Sequence, residues 1–185
     1  MSATTQTSGS LLTPGELAGW RGMLRVHAGL MKDLDTDLAG GHGLSLSTYE
    51  VLLFLADAHD GKMRMAQLAD SVLLSRSGLT RLVDRLERAG LVEREPCPSD
   101  QRGFNALITH EGREVFDAAR QTHLSGVRER FLSHFSEDDL ATMAEFWERV
   151  QPGASAGGAP FPTTVAPRPP YGRGAAPRAA RGPGA

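Results

Sequence analysis

The sequence predicts a mainly α fold carrying a small β-wing. Three observations predict it. Apolar residues recur at three- and four-residue intervals through much of residues 14–150; two short helical stretches follow one another across a tight turn within residues 66–88; and two β-rich stretches come directly after them, at 91–95 and 104–109. Of the 185 residues 40% are hydrophobic and 23% charged, ordinary globular values. A folding part of roughly 150 residues suits one core.

The first helix is expected over 14–38. Leu17, Trp20, Leu24, Ala28, Met31, Leu34 and Leu38 share one face, with Thr13 as N-cap and Pro14 at the first helical position. Gly40 to Gly43 (GGHG) breaks it. Ser47 with Glu50 three residues later reads as a capping box for a second helix reaching about His59. Asp60-Gly61 marks a turn, 63–65 a short strand and 66–73 a compact third helix. Ser75 caps the fourth, and two short helices so close in sequence form the helix-turn-helix pattern. Gly90 is placed to take the left-handed C-cap. The strands 91–95 and 104–109 then make a hairpin with a polar tip, PCPSDQRG. Thr109 caps a long helix over 110–134, and Ser136 with Asp139 caps a last one whose Leu140, Met143, Trp147 and Val150 step by three and four.

Residues 1–13 read as a flexible N-terminus and 151–185 as a disordered tail, because eight of the eleven prolines and seven glycines lie in those last residues, with four arginines and no acid. The whole chain has 20 basic and 22 acidic residues; removing the tail's four arginines leaves 16 against 22, a net of −6, on residues 1–150. An acidic body excludes a wholesale basic nucleic-acid binder but leaves room for a local basic face. The lone Cys97 makes no intramolecular disulfide, in keeping with a reducing cytoplasm. There is no basic-then-apolar leader and no apolar run near the roughly 20 residues that span a bilayer, so no membrane role is expected. Six scattered histidines lack ligand spacing, so neither metal nor cofactor is expected. No nucleophile, paired carboxylates or phosphate loop stands out, and an enzyme is not predicted.

The fourth helix is the most informative stretch. Leu79, Leu82, Val83 and Leu86 make a buried stripe, while Ser77, Arg81, Asp84, Arg85 and Arg88 share the opposite side. Its first turns expose Arg76, Ser77, Thr80 and Arg81 near the positive end of the helix dipole. Guanidinium groups grip phosphate or take the O6/N7 edge of guanine in two hydrogen bonds. The alternative is a solvated surface laced by pairs such as Asp84 with Arg88. The hairpin favours the first reading, since an arginine at a protruding tip can enter an adjacent minor groove.

The run Ala66 to Gly112, AQLADSVLLSRSGLTRLVDRLERAGLVEREPCPSDQRGFNALITHEG, resembles the winged helix-turn-helix core of the multiple antibiotic resistance regulator (MarR) family. Its most specific parts are the wing motif Asp100-Gln101-Arg102 and the following Ile108-Thr109-His110-Glu111-Gly112. Order and helix content extend the likeness to about residues 14–150. Leu73 stands where many relatives have glycine, and Ile108 where leucine is usual. The resemblance implies a homodimeric transcription regulator that binds double-stranded DNA, a repressor on an inverted-repeat operator, with residues 14–38 and 110–150 as dimerisation helices around a DNA-binding part at 44–109. Carried over, Ser75, Arg76, Ser77, Thr80, Arg81 and Arg85 meet the major groove and its phosphates, Arg102 meets the minor groove, and Asp100 supports the wing. Cys97 falls in the expected wing loop; peroxide-sensing members keep their cysteine near the first helix, so a bystander thiol is expected.

The apolar stripes at the two ends, Leu17, Trp20, Leu24 and Leu140, Met143, Trp147, each need a partner. Folding on each other would serve, but a twofold dimer buries more and sets two recognition helices about one DNA turn apart, roughly 34–36 Å. Many relatives release DNA on binding a small amphipathic or aromatic effector. Trp20, His27, Met31 and Tyr49 are the candidate lining of such a pocket, and equally ordinary core and interface residues. A rival reading is a ligand-independent or architectural winged-helix module binding DNA or protein.

Overall fold

The structure, a computed structural model, describes residues 12–72, 74–97 and 100–155, the side chains of 100–102 excepted. The expectations for 1–11, for Leu73, for most of the tail and for the side chains of Asp100 and Arg102 lie outside the described residues.

Helix α1 runs Pro14–His42, longer than periodicity suggested. Thr13 caps it in a reciprocal capping box with Glu16, whose carboxyl is held below its ordinary range by hydrogen bonds from the Thr13 amide and hydroxyl. Gly40 and Gly41 stay helical, and the helix stops only at Gly43, whose φ of 66° provides the left-handed cap. A glycine costs a helix about 1 kcal/mol and need not end it.

Helix α2 covers Leu46–Asp57. Its N-cap is Ser45, whose hydroxyl accepts the Thr48 amide at 3.2 Å, and not Ser47. The residues Thr48 to Ala56, apart from the half-buried Glu50, are all buried, which makes α2 the central rod of the core. A turn at His59–Gly61, with Asp60 and Gly61 at positive φ, leads into strand β1, Lys62–Arg64. Helix α3 is Met65–Ser71 and helix α4 Arg76–Arg88.

Strands β2, Val92–Cys97, and β3, Asp100–Ile108, pair antiparallel, and β1 adds to the other edge of β3, so the sheet order is β1-β3-β2. The expected polar loop is mostly strand: pairing runs from Val92↔Ile108 out to Cys97↔Asp100, with an irregularity after Pro96. Cys97 is therefore a buried strand residue rather than a loop thiol, and Arg64 Nη2 lies 3.0 Å from its sulfur.

Helix α5, His110–Arg130, begins where the sheet ends. Thr109 accepts the Gly112 amide at 2.9 Å and donates to Gly90 O at 2.7 Å, tying the start of α5 to the turn before β2. After a short turn at Leu132–His134, Ser136 and Asp139 form a capping box for helix α6, Glu137–Val150. The core joins α2, α3, α4 and the sheet to Phe116 and Ala119 of α5, and Leu38 is its contact from α1. Each fully buried aliphatic or aromatic side chain there contributes about 1.5–3 kcal/mol.

Candidate nucleic-acid interface

Helix α4 divides along its length. Leu79, Leu82, Val83 and Leu86 are buried, whereas Ser75, Arg76, Ser77, Thr80, Arg81, Arg85 and Arg88 are exposed. Ser75 accepts the Gly78 amide at 3.1 Å, which satisfies one of the amides at the helix start. Thr80 donates its hydroxyl to Arg76 O, and Arg88 Nε donates to the backbone oxygen of Asp84. The salt-bridge reading of this surface is thus corrected in one respect: the Asp84 carboxylate takes Arg94 of β2, not Arg88. Among the described residues no ion pair engages Arg76, Arg81 or Arg85.

Arg94 is the residue of this surface that the sequence did not single out. Its Nη2 lies 2.6 Å from Asp84 Oδ1 and 3.3 Å from Thr80 O, and its Nη1 lies 2.7 Å from Glu87 Oε2. The signal lay in the three-residue spacing of Asp84 and Glu87, which sets two carboxylates on one flank of α4, but their partner depends on where β2 lies.

Beside that flank a cleft of about 650 Å³ opens between α4 and the wing, lined by Arg64, Met65, Arg76, Leu79, Arg94 and Phe104 among others. Phe104 remains 47% exposed. The proposed pocket residues are elsewhere. Tyr49 is closed into the core at 2% exposure, stacked between Phe116 and His123, whereas Trp20 and His27 lie open on the first half of α1 and Met31 is half-buried further along it. They do not line the cleft between α4 and the wing.

None of the expected dimer residues is buried in the single chain. Leu17 is half-buried, Trp20 is 53% and Leu24 46% exposed; Leu140 and Met143 are half-buried and Trp147 is 41% exposed. Helix α6 buries no residue at all. No described helix is long and apolar enough to cross a membrane.

A helix-turn-helix whose second helix is presented beside a two-stranded wing defines a winged-helix protein. Known proteins agree. The family model described as "MarR family" matches residues 42–103. The transcriptional regulator MhqR of Bacillus subtilis is 31% identical over 109 residues, covering 59% of this chain and 73% of that protein. Two solved structures from Streptomyces coelicolor resemble most of it: AbsC (33% identity, TM-score 0.72, 76% of this chain and 95% of that one) and Sco3205 in complex with DNA (32%, TM-score 0.74, 80% and 92%). The chain belongs to the MarR family of transcriptional regulators. These relatives are regulators and not enzymes.

Proposed function

We infer that the chain is a homodimeric, sequence-specific DNA-binding regulator that represses transcription from an inverted-repeat operator in the cytoplasm. The single observation that carries this is the division of α4, whose aliphatic side is buried while its arginines are exposed beside a wing. Ser75, Arg76, Ser77, Thr80, Arg81 and Arg85 approach the major groove; Arg102 at the wing reaches the minor groove and Asp100 supports it. The DNA-bound Sco3205, similar over most of its length, supports this reading. Residues 44–109 act as the DNA-binding part. Helices α1, α5 and α6 form the dimer, a reading supported by the apolar residues that α1 and α6 leave exposed.

Release by a small amphipathic or aromatic anion belongs to the same reading. The cleft between α4 and the wing supports it, because apolar walls and guanidinium groups suit such a molecule. Trp20, His27 and Met31 become a pocket only if the partner subunit closes over them, and Tyr49 contributes as packing beneath. Isothermal titration with a panel of phenolic and carboxylic acids tests this, with loss of operator binding as the expected accompaniment. Heat-silent titrations without DNA release would leave a ligand-independent repressor.

Selection of genomic fragments by the purified chain, followed by footprinting, tests the function itself. Protection of one or a few inverted repeats, with affinity falling steeply as salt rises, is the expected result. Broad coating of DNA supports the architectural alternative, and equal affinity for every duplex removes the regulator reading.

A further inference from the structure

The geometry points to Arg94 as a positioning residue for DNA binding, one that acts by bridging and partly neutralising two carboxylates on the recognition helix rather than by touching DNA. The inference rests on the reading of α4 as the DNA-facing helix. At 100° per residue, Thr80, Asp84 and Glu87 form a stripe at i, i+4 and i+7, between the presented side with Ser77, Arg81, Arg85 and Arg88 and the buried side with Leu79, Leu82, Val83 and Leu86. The acids of that stripe border the face that meets phosphates. Their side chains are 40% and 42% exposed, so neither is removed by burial.

The Arg94 guanidinium lies along this stripe and binds it at three points, with Asp84, Glu87 and the Thr80 carbonyl. Both of its terminal nitrogens are committed, and its side chain is only 20% exposed, which leaves little of it to meet a phosphate. Its effect on DNA binding is therefore indirect. In the free protein such solvent-screened pairs contribute little to stability. Beside a duplex the balance changes, because two uncompensated carboxylates next to phosphates are like-charge contacts in a partly desolvated interface. Arg94 bridges both while holding the wing against the helix, and its single positive charge halves the negative charge that borders the presented arginines.

The test uses the full chain and a labelled operator fragment selected by the wild-type protein, with binding read by fluorescence anisotropy at moderate ionic strength and folding by thermal melts. Arg94→Gln weakens binding about tenfold or more; adding Asp84→Asn and Glu87→Gln to it restores affinity to within about threefold of wild type. The double variant Asp84→Asn/Glu87→Gln, with Arg94 retained, binds about threefold tighter than wild type, and it decides the matter if Arg94→Gln does not fold. A triple variant as weak as Arg94→Gln makes Arg94 a direct contact or a mechanical strut and overturns the inference, as does an unaffected Arg94→Gln or a double variant no tighter than wild type. Failure of the wild-type chain itself to prefer any duplex removes the reading of α4, and this inference with it.

Discussion

The Tyr49 ring stacks on the His123 imidazole, with centroids 4.5 Å apart and planes inclined by 29°. Phe116 stacks on the same Tyr49 ring at 5.5 Å, so the three rings join α2 to α5 in the core. Burial favours the neutral form of both polar rings: it pushes the Tyr49 hydroxyl up to about 12 and the His123 imidazole below its ordinary 6.5.

The His123 shift gives stability a pH dependence of known sign. An unfolded chain takes up this proton near pH 6.5, whereas the folded chain resists it, so the unfolded state binds more protons between the lowered value and 6.5. Stability is full above that window and falls as pH drops through it. Glu50, whose carboxyl is raised by burial, acts oppositely as pH rises above its ordinary 4.5, so the variant comparison is more decisive than the raw slope. Denaturant midpoints at pH 7.5, 6.5 and 5.5 should decline for the wild-type protein and decline less for His123→Gln. Parallel profiles would count against this role.

Gly112 stands against the chain before β2. A β-carbon there would lie 2.0 Å from the Leu91 carbonyl oxygen, a backbone atom that cannot move aside without shifting the start of the wing. Gly112→Ala should cost about 3 kcal/mol by chemical denaturation. Gly40, helical and with open space around it, offers the contrast: Gly40→Ala should stabilise by about 0.5–1 kcal/mol. Equal effects at both sites would refute the packing argument.

The exposed apolar residues of α1 and α6 predict the oligomeric state. Leu24→Glu and Trp147→Glu place a charge where a twofold partner would cover it, and each should convert a dimer at micromolar concentration into a folded monomer by light scattering. Monomeric wild-type protein at that concentration would remove the dimer.

For DNA, Arg81→Ala and Arg102→Ala should each weaken specific binding by about 1–3 kcal/mol in gel shifts, Arg81 by losing base and phosphate contacts and Arg102 through groove shape. Unchanged affinity for both would leave the recognition surface without its two main readers.

What could be read in advance was whatever depends on near neighbours in the chain. The caps at Thr13, Ser75, Thr109 and Ser136, the left-handed Gly90 and the two sides of α4 all follow from side chains three or four positions apart, and each stands in the structure where the pattern put it. Even there a local rule misled when two serines competed: Ser45 won over Ser47 because a helix beginning at Leu46 buries Thr48 and Tyr49 against the core. Contacts between distant segments were beyond that reach. The extent of the wing, the burial of Cys97 and the grip of Arg94 on Asp84 and Glu87 depend on the register of β2 against β3 and on how the hairpin lies on α4. The separation of buried Tyr49 from open Trp20 likewise follows from which helix occupies the centre. Such pairings are chosen by the burial of the whole core, a quantity that no short window of residues contains.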